Sequence, residues 1–161
     1  MKTLLLTLVA CLAVAQVPVT QDPFAARYQV NRETALTAAA EKITVQGTGT
    51  ADAVYFESAD VYCSAACVVT FSRDGTAAST TALSPVAVGI ASSVAPNAYR
   101  SSNVGSGTTG RSYNIAAGGT MSFDLSAWYL PAGAPSTKNY SIATDSITAT
   151  VRINIQFRLG R

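Results

Sequence analysis

Ile147-Thr148-Ala149-Thr150-Val151-Arg152-Ile153-Asn154-Ile155-Gln156-Phe157-Arg158-Leu159 alternates without a break. Every odd-numbered residue is apolar and every even-numbered one is polar. A period of two predicts a β-strand with one dry face and one wet face. The Ile, Val and Thr content suits a pleated surface. At about 3.3 Å per residue the stretch would span roughly 43 Å, where an ordinary strand has about five or six residues. Such a strand is expected to bend between sheets, carry a bulge or run past the domain towards a neighbour. Arg152 and Arg158 on its wet face would then guard an exposed edge.

Working outward, Thr144-Asp145-Ser146 reads as the turn into this strand, and Asn139 to Ala143 as a short strand before it. Met121, Phe123 and Leu125 alternate with polar residues, and Tyr113 and Ile115 begin another strand. Ala117-Gly118-Gly119 between them reads as a hairpin turn. Val86, Val88 and Ile90 predict a strand, Ser92 to Gly110 a long loop with a short strand near Ala98 to Ser101, and Ile43 to Gln46 another short strand. Ala59, Val61 and Cys63 share one parity, as do Cys67, Val69 and Phe71. A hairpin over Ser64-Ala65-Ala66 would set Cys63 against Cys67, Val61 against Val69 and Ala59 against Phe71. Phe24 to Glu41 is ambiguous between helix and strand. Short strands with turn signals between them predict an all-β, antiparallel β-sandwich, jelly-roll-like, with eight or nine strands.

The chain has 161 residues, enough for one such domain, spanning 37–161. Charged residues are only 12% and the formal net charge is +2. That leaves no basic field for nucleic acid. Lys2 followed by the apolar run Leu4 to Val14 and Ala13-Val14-Ala15 reads as an export signal, a helix over 1–15 that is too short to span a bilayer. The product would be secreted or held at the cell surface, with 16–36 as an extended N-terminal arm and no membrane span. Leu8-Val9-Ala10-Cys11 also matches a lipidation site, which would anchor the chain through Cys11.

Removal of the signal leaves Cys63 and Cys67, an even count for an oxidising compartment, and these are expected to form a disulfide. The metal alternative, a C-x-x-x-C half-site, lacks further ligands because the chain has no histidine. No cofactor is expected. The Ser-His and Cys-His nucleophile pairs are excluded on the same ground. Glu57, Asp60, Asp74, Asp124 and Asp145 are the carboxylates from which a glycosidase pair would be drawn. Glu57 and Asp60 differ in parity, so they would face opposite ways unless a bulge intervenes. Trp128 and Tyr129 follow a strand and are the candidate contact residues for a glycan or a protein partner, with Tyr99, Tyr113 and Tyr140 as possible neighbours. Against that, Trp128 also suits a core cap. Asn139-Tyr140-Ser141 matches a glycosylation sequon.

The Thr/Ala-rich strands, the run Ser101-Ser102-Asn103-Val104-Gly105 and the alternating last strand resemble small secreted bacterial β-sandwich proteins of unassigned function. They also resemble β-domains of phage decoration and fibre proteins. The resemblance implies no functional residue. Three expectations follow. The first is an exported, non-catalytic structural or assembly protein that packs with itself, its arm adding a strand to a neighbour's sheet. The second is a carbohydrate-binding module using loop aromatics. The third is a small glycoside hydrolase.

Overall fold

The computed structural model describes residues 26–47, 52–74, 81–88, 97–101, 108–135 and 137–160. Twelve strands and no helix occur among them: β1 (Arg27–Ala39), β2 (Lys42–Gln46), β3 (Ala53–Cys63), β4 (Cys67–Arg73), β5 (Thr81–Leu83), β6 (Val86–Ala87), β7 (Ala98–Ser101), β8 (Thr108–Ile115), β9 (Gly119–Asp124), β10 (Tyr129–Leu130), β11 (Asn139–Thr144) and β12 (Ile147–Gly160). The excess over eight or nine comes from short pieces such as β5, β6 and β10. The expected signal helix and Cys11 lie outside the described residues. No helix among the described residues is long and apolar enough to cross a membrane.

The strands form two antiparallel six-stranded sheets. The first has the order β10-β3-β12-β1-β6, with β9 also paired to β3. The second has the order β5-β7-β2-β11-β4-β8. The odd residues of β12 are buried: Val151, Ile153, Ile155, Phe157 and Leu159 are all under 5% exposed. They meet Ile43, Val45, Val69, Phe71 and Ile142 of the other sheet in one core. Each such side chain contributes about 1.5–3 kcal/mol by leaving water.

β12 is central and not an edge. β1 pairs along one side of it and β3 along the other. Its length is absorbed by bulges in those neighbours, one near Leu36/Ala39 in β1 and one opposite Gln156/Phe157 in β3. Arg152 and Arg158 therefore guard no edge. Arg152 pairs with Glu33 at 2.7 Å across the strands, and the Arg158 guanidinium lies 4.6 Å from the Tyr55 ring centre. The ambiguous stretch is a strand from Arg27 on. The part of the expected arm from Arg27 to Leu36 is thus built into this chain's own sheet, because its buried parity (Tyr28, Val30, Leu36) continues the dry face of β12.

The two hairpins expected from the sequence are not hairpins. β3 lies in the first sheet and β4 in the second, so Cys63 pairs with Val151 and Gly119, and Cys67 with Ile115. Ala59, Val61, Cys63, Cys67, Val69 and Phe71 do share the core. They face one another across it instead of lying side by side. The Sγ atoms of Cys63 and Cys67 are 2.06 Å apart, a disulfide that joins one sheet to the other. β8 and β9 likewise belong to different sheets, and the link between them crosses at the same end. There the Gly118 N–H donates to the Cys63 carbonyl. Gly118 has φ +70°, a left-handed conformation that glycine adopts without cost.

The β1–β2 and β11–β12 links also cross between sheets, and they bond to each other. The Thr144 N–H donates to the Glu41 carbonyl, and the Glu41 N–H donates to Thr144 Oγ1. Asn139 of the sequon is only 1% exposed, so the folded strand offers it to no modifying enzyme.

Candidate functional site

A cleft of about 740 Å³ opens where the edge of the second sheet, β8, faces the edge of the first, β9. Its dry wall continues the core. Phe71, Tyr113, Phe123, Trp128 and Tyr140 line it. These rings pack edge to face or tilted, with Phe71 and Phe123 centres 4.7 Å apart and Tyr113 and Phe123 5.0 Å apart. Trp128 stacks on Tyr140 at 4.5 Å and sets its edge against Phe71 and Phe56. Through Phe56 and Phe157 the rings connect to Tyr28 on the far side of the core. The cleft aromatics are therefore anchored, and a ligand on them meets a preorganised surface.

Local backbone features shape the opening. In β8, Gly110 and Arg111 together oppose Phe71, because the register slips between Thr70/Ser112 and Ser72/Thr109. Such a bulge bends the strand and re-aims a side chain. A Cβ at Gly110 would stand 3.4 Å from the Phe71 carbonyl oxygen, an ordinary van der Waals contact with the neighbouring strand. On the opposite wall β9 and β10 run along the same side of β3 but are separated by a turn. Asp124 Oδ1 accepts the Ser126 N–H at 2.9 Å, and the Trp128 N–H donates to the Leu125 carbonyl. This turn carries Trp128 into the cleft.

The wet wall is made by Ser72, Arg73, Arg111, Ser122 and Asp124. The Ser126 hydrogen bonds hold the Asp124 carboxyl below its ordinary value, so it is an ionised acceptor at neutral pH. Burial pushes the Tyr140 hydroxyl above its ordinary value, partly opposed by Arg73, its partner across the strands. Tyr140 is thus neutral and able to donate.

The two sequence-predicted contact residues separate here. Trp128 is half-buried against the core and lines the cleft, so it is both a core cap and a cleft wall. Tyr129 is 56% exposed and stacks on Tyr55 at 6.2 Å, away from the cleft lining. Tyr113 and Tyr140 join Trp128, whereas Tyr99 sits on β7 opposite Thr44. Sequence reasoning missed Phe71, Phe123, Arg73 and Arg111 as site residues. A signal was available for the arginines: Arg73 continues the dry parity of Val69 and Phe71, and Arg111 that of Ile115 and Tyr113.

The remaining carboxylates are occupied. The bulge in β3 falls at Glu57, which brings it within reach of Arg27 at 3.5 Å and Arg158 at 3.9 Å. Asp60 accepts from Ser122, Asp74 pairs with Lys138 at 3.3 Å, and Asp145 accepts the Val68 N–H. Among the described residues no cluster of Cys, Asp and Glu side chains could hold a metal ion. Compared with protein-family models, curated proteins and solved structures, the chain matches none.

Proposed function

We propose that this chain is an exported, non-catalytic binding module of the jelly-roll type that holds a carbohydrate in the β8–β9 cleft. The observation that carries the reading is the cleft itself. A continuous set of anchored rings meets a wall of hydrogen-bonding side chains within a volume typical of small-ligand sites, about 300–1,000 Å³. Sugar rings present apolar C–H faces to aromatic side chains and hydroxyls to polar ones. Arg73, Arg111, Ser72 and Tyr140 supply donors, and Asp124 supplies an acceptor.

The jelly-roll reading rests on strand order. The eight principal strands fall as β9-β3-β12-β1 and β2-β11-β4-β8. Each tight link among them passes from one sheet to the other, and β5, β6 and β7 form an insertion after β4. Double-sheet jelly rolls serve both as lectin domains and as shell-forming proteins.

An oligosaccharide array with the labelled mature chain tests the binding reading. Retention on at least one glycan class is expected, and it should be lost in Arg73→Ala. Uniform silence would reject it. The eight residues of β8, paired to β4 on one side only, favour self-association as a second reading. Light scattering decides that one: a strict monomer at all concentrations removes it.

A further inference from the structure

The cleft's arginines say which carbohydrate it takes. The described residues include arginines at 27, 32, 73, 100, 111, 152 and 158. Arg27, Arg32, Arg100, Arg152 and Arg158 each lie 3.9 Å or less from a carboxylate oxygen. Among the described residues Arg73 and Arg111 have no ion pair, and these two both line the cleft. In a chain with so few charges, that distribution is selective: every other described guanidinium is matched to a carboxylate of the fold.

Their placement strengthens the point. In sequence both fall on the parity of the ring-bearing positions of their strands, yet they are exposed at the cleft rather than buried in the core. Both are exposed, so an anion can reach them from solvent at the mouth of the cleft, beside its ring-lined wall. The planar fork of a guanidinium matches a carboxylate or sulfate oxygen pair in two parallel hydrogen bonds. Asp124 on the opposite wall is ionised, which disfavours a densely anionic ligand there and suits hydroxyl groups.

We infer that the module is selective for an acidic sugar, whose ring lies against the Trp128 and Tyr140 side of the cleft and whose anionic group bridges to Arg73 and Arg111. This rests on the carbohydrate-binding reading above. The chemistry recognised is a hexose ring with one carboxylate or sulfate, and the ring and anion must belong to the same unit.

Isothermal titration calorimetry with four probes tests it: an oligogalacturonate, the same oligomer fully methyl-esterified, a sulfated galacto-oligosaccharide and a neutral galacto-oligosaccharide. Binding of the galacturonate or the sulfated probe, about tenfold or more tighter than its neutral counterpart, is expected. Affinity should weaken with added salt. Whichever acidic probe binds names the anionic group. Arg73→Gln and Arg111→Gln should each lose that preference while keeping the wild-type melting temperature. Equal binding of acidic and neutral probes would overturn the acidic preference and leave the carbohydrate reading intact. Binding of none of the four, together with silence on the array, would overturn both. If the glutamine variants melt early, Arg73→Lys and Arg111→Lys serve in their place. These keep the charge and lose the fork, and they should retain salt dependence with reduced affinity.

Discussion

The two lateral seams of the sandwich treat the same problem differently. On the seam where β1 faces β2 and β7, the inward residues Arg32 and Arg100 share one carboxylate. Glu41 is 1% exposed and accepts from Arg100 Nε at 3.1 Å and Nη2 at 3.2 Å, with Arg32 Nε at 3.6 Å. The seam carries its own counter-ion. On the seam where β8 faces β9, the exposed residues Arg73 and Arg111 have no such carboxylate among the described residues, and the space is an open cleft. One seam completes the fold. The other presents the same side-chain chemistry without that carboxylate, and the proposed acidic sugar would supply it.

The Glu41 seam is the easier to break. Glu41→Gln removes the charge that two inward guanidiniums share. Breaking a buried pair costs about 3–5 kcal/mol. Arg32 and Arg100 side chains are each 31% exposed, so solvent screens part of that and about 3 kcal/mol is expected. Chemical denaturation of the variant measures it.

Next to the open seam a disulfide joins the two sheets. Cys63 and Cys67 join β3 to β4 four residues apart in sequence. Removing so short a loop, by Cys63→Ser with Cys67→Ser, should lower stability by about 2 kcal/mol. It should also disturb the β8–β9 link, because Gly118 bonds to the Cys63 carbonyl. Amide exchange at Gly118 and Gly119 checks the local part.

A smaller effect lies at the end of β1. Ala38 has φ 47°, where a Cβ is strained. Ala38→Gly should leave stability unchanged or raise it by up to about 1 kcal/mol, by relief of that strain against the entropy of the unfolded glycine. Arg73→Gln and Arg111→Gln should change stability by less than about 0.5 kcal/mol, since neither loses an ion pair among the described residues. That small cost, set against the loss at Glu41, is the contrast between the seams in one comparison of melts.

The Asp124 turn adds a pH signature. Its folded value is depressed below the ordinary 3.8, so its stabilising contribution is present above that pH and fades as pH falls towards the lower folded value. The Ser126 amide resonance, followed through acid titration, should shift with a midpoint below the ordinary value of 3.8 and stay still near neutrality.

Much of the fold was legible because alternation reports burial. The dry residues of β12, β3 and β4 are the core residues, and Ala98 to Ser101 is the short strand expected. Pairing was not legible. Period-two alternation says which side is dry, but it does not say whether the next strand lies beside the first or across the core from it. Cys63 and Cys67 show this: a close approach was correct, a shared ladder was not. In the candidate site, Trp128 is singled out by its chemistry in the sequence, and the structure puts it on the cleft wall. Phe71 and Phe123 read as ordinary core residues, because only the bulge at Gly110 and the turn at Asp124 leave the space beside them open. Arg73 and Arg111 needed a second rule, that a charge on the dry parity at a strand end must find a partner.

In the proposed reading the β8–β9 seam is a binding site completed by an acidic sugar. Trp128 is the chain's one tryptophan and it lines that seam, so its fluorescence reports on the cleft directly. Titration with oligogalacturonate and with sulfated galacto-oligosaccharide should give a saturable shift with at least one of them, abolished in Arg73→Gln and weakened by salt. An emission that stays unchanged with both, while the protein remains folded, would contradict acidic-sugar binding in the seam.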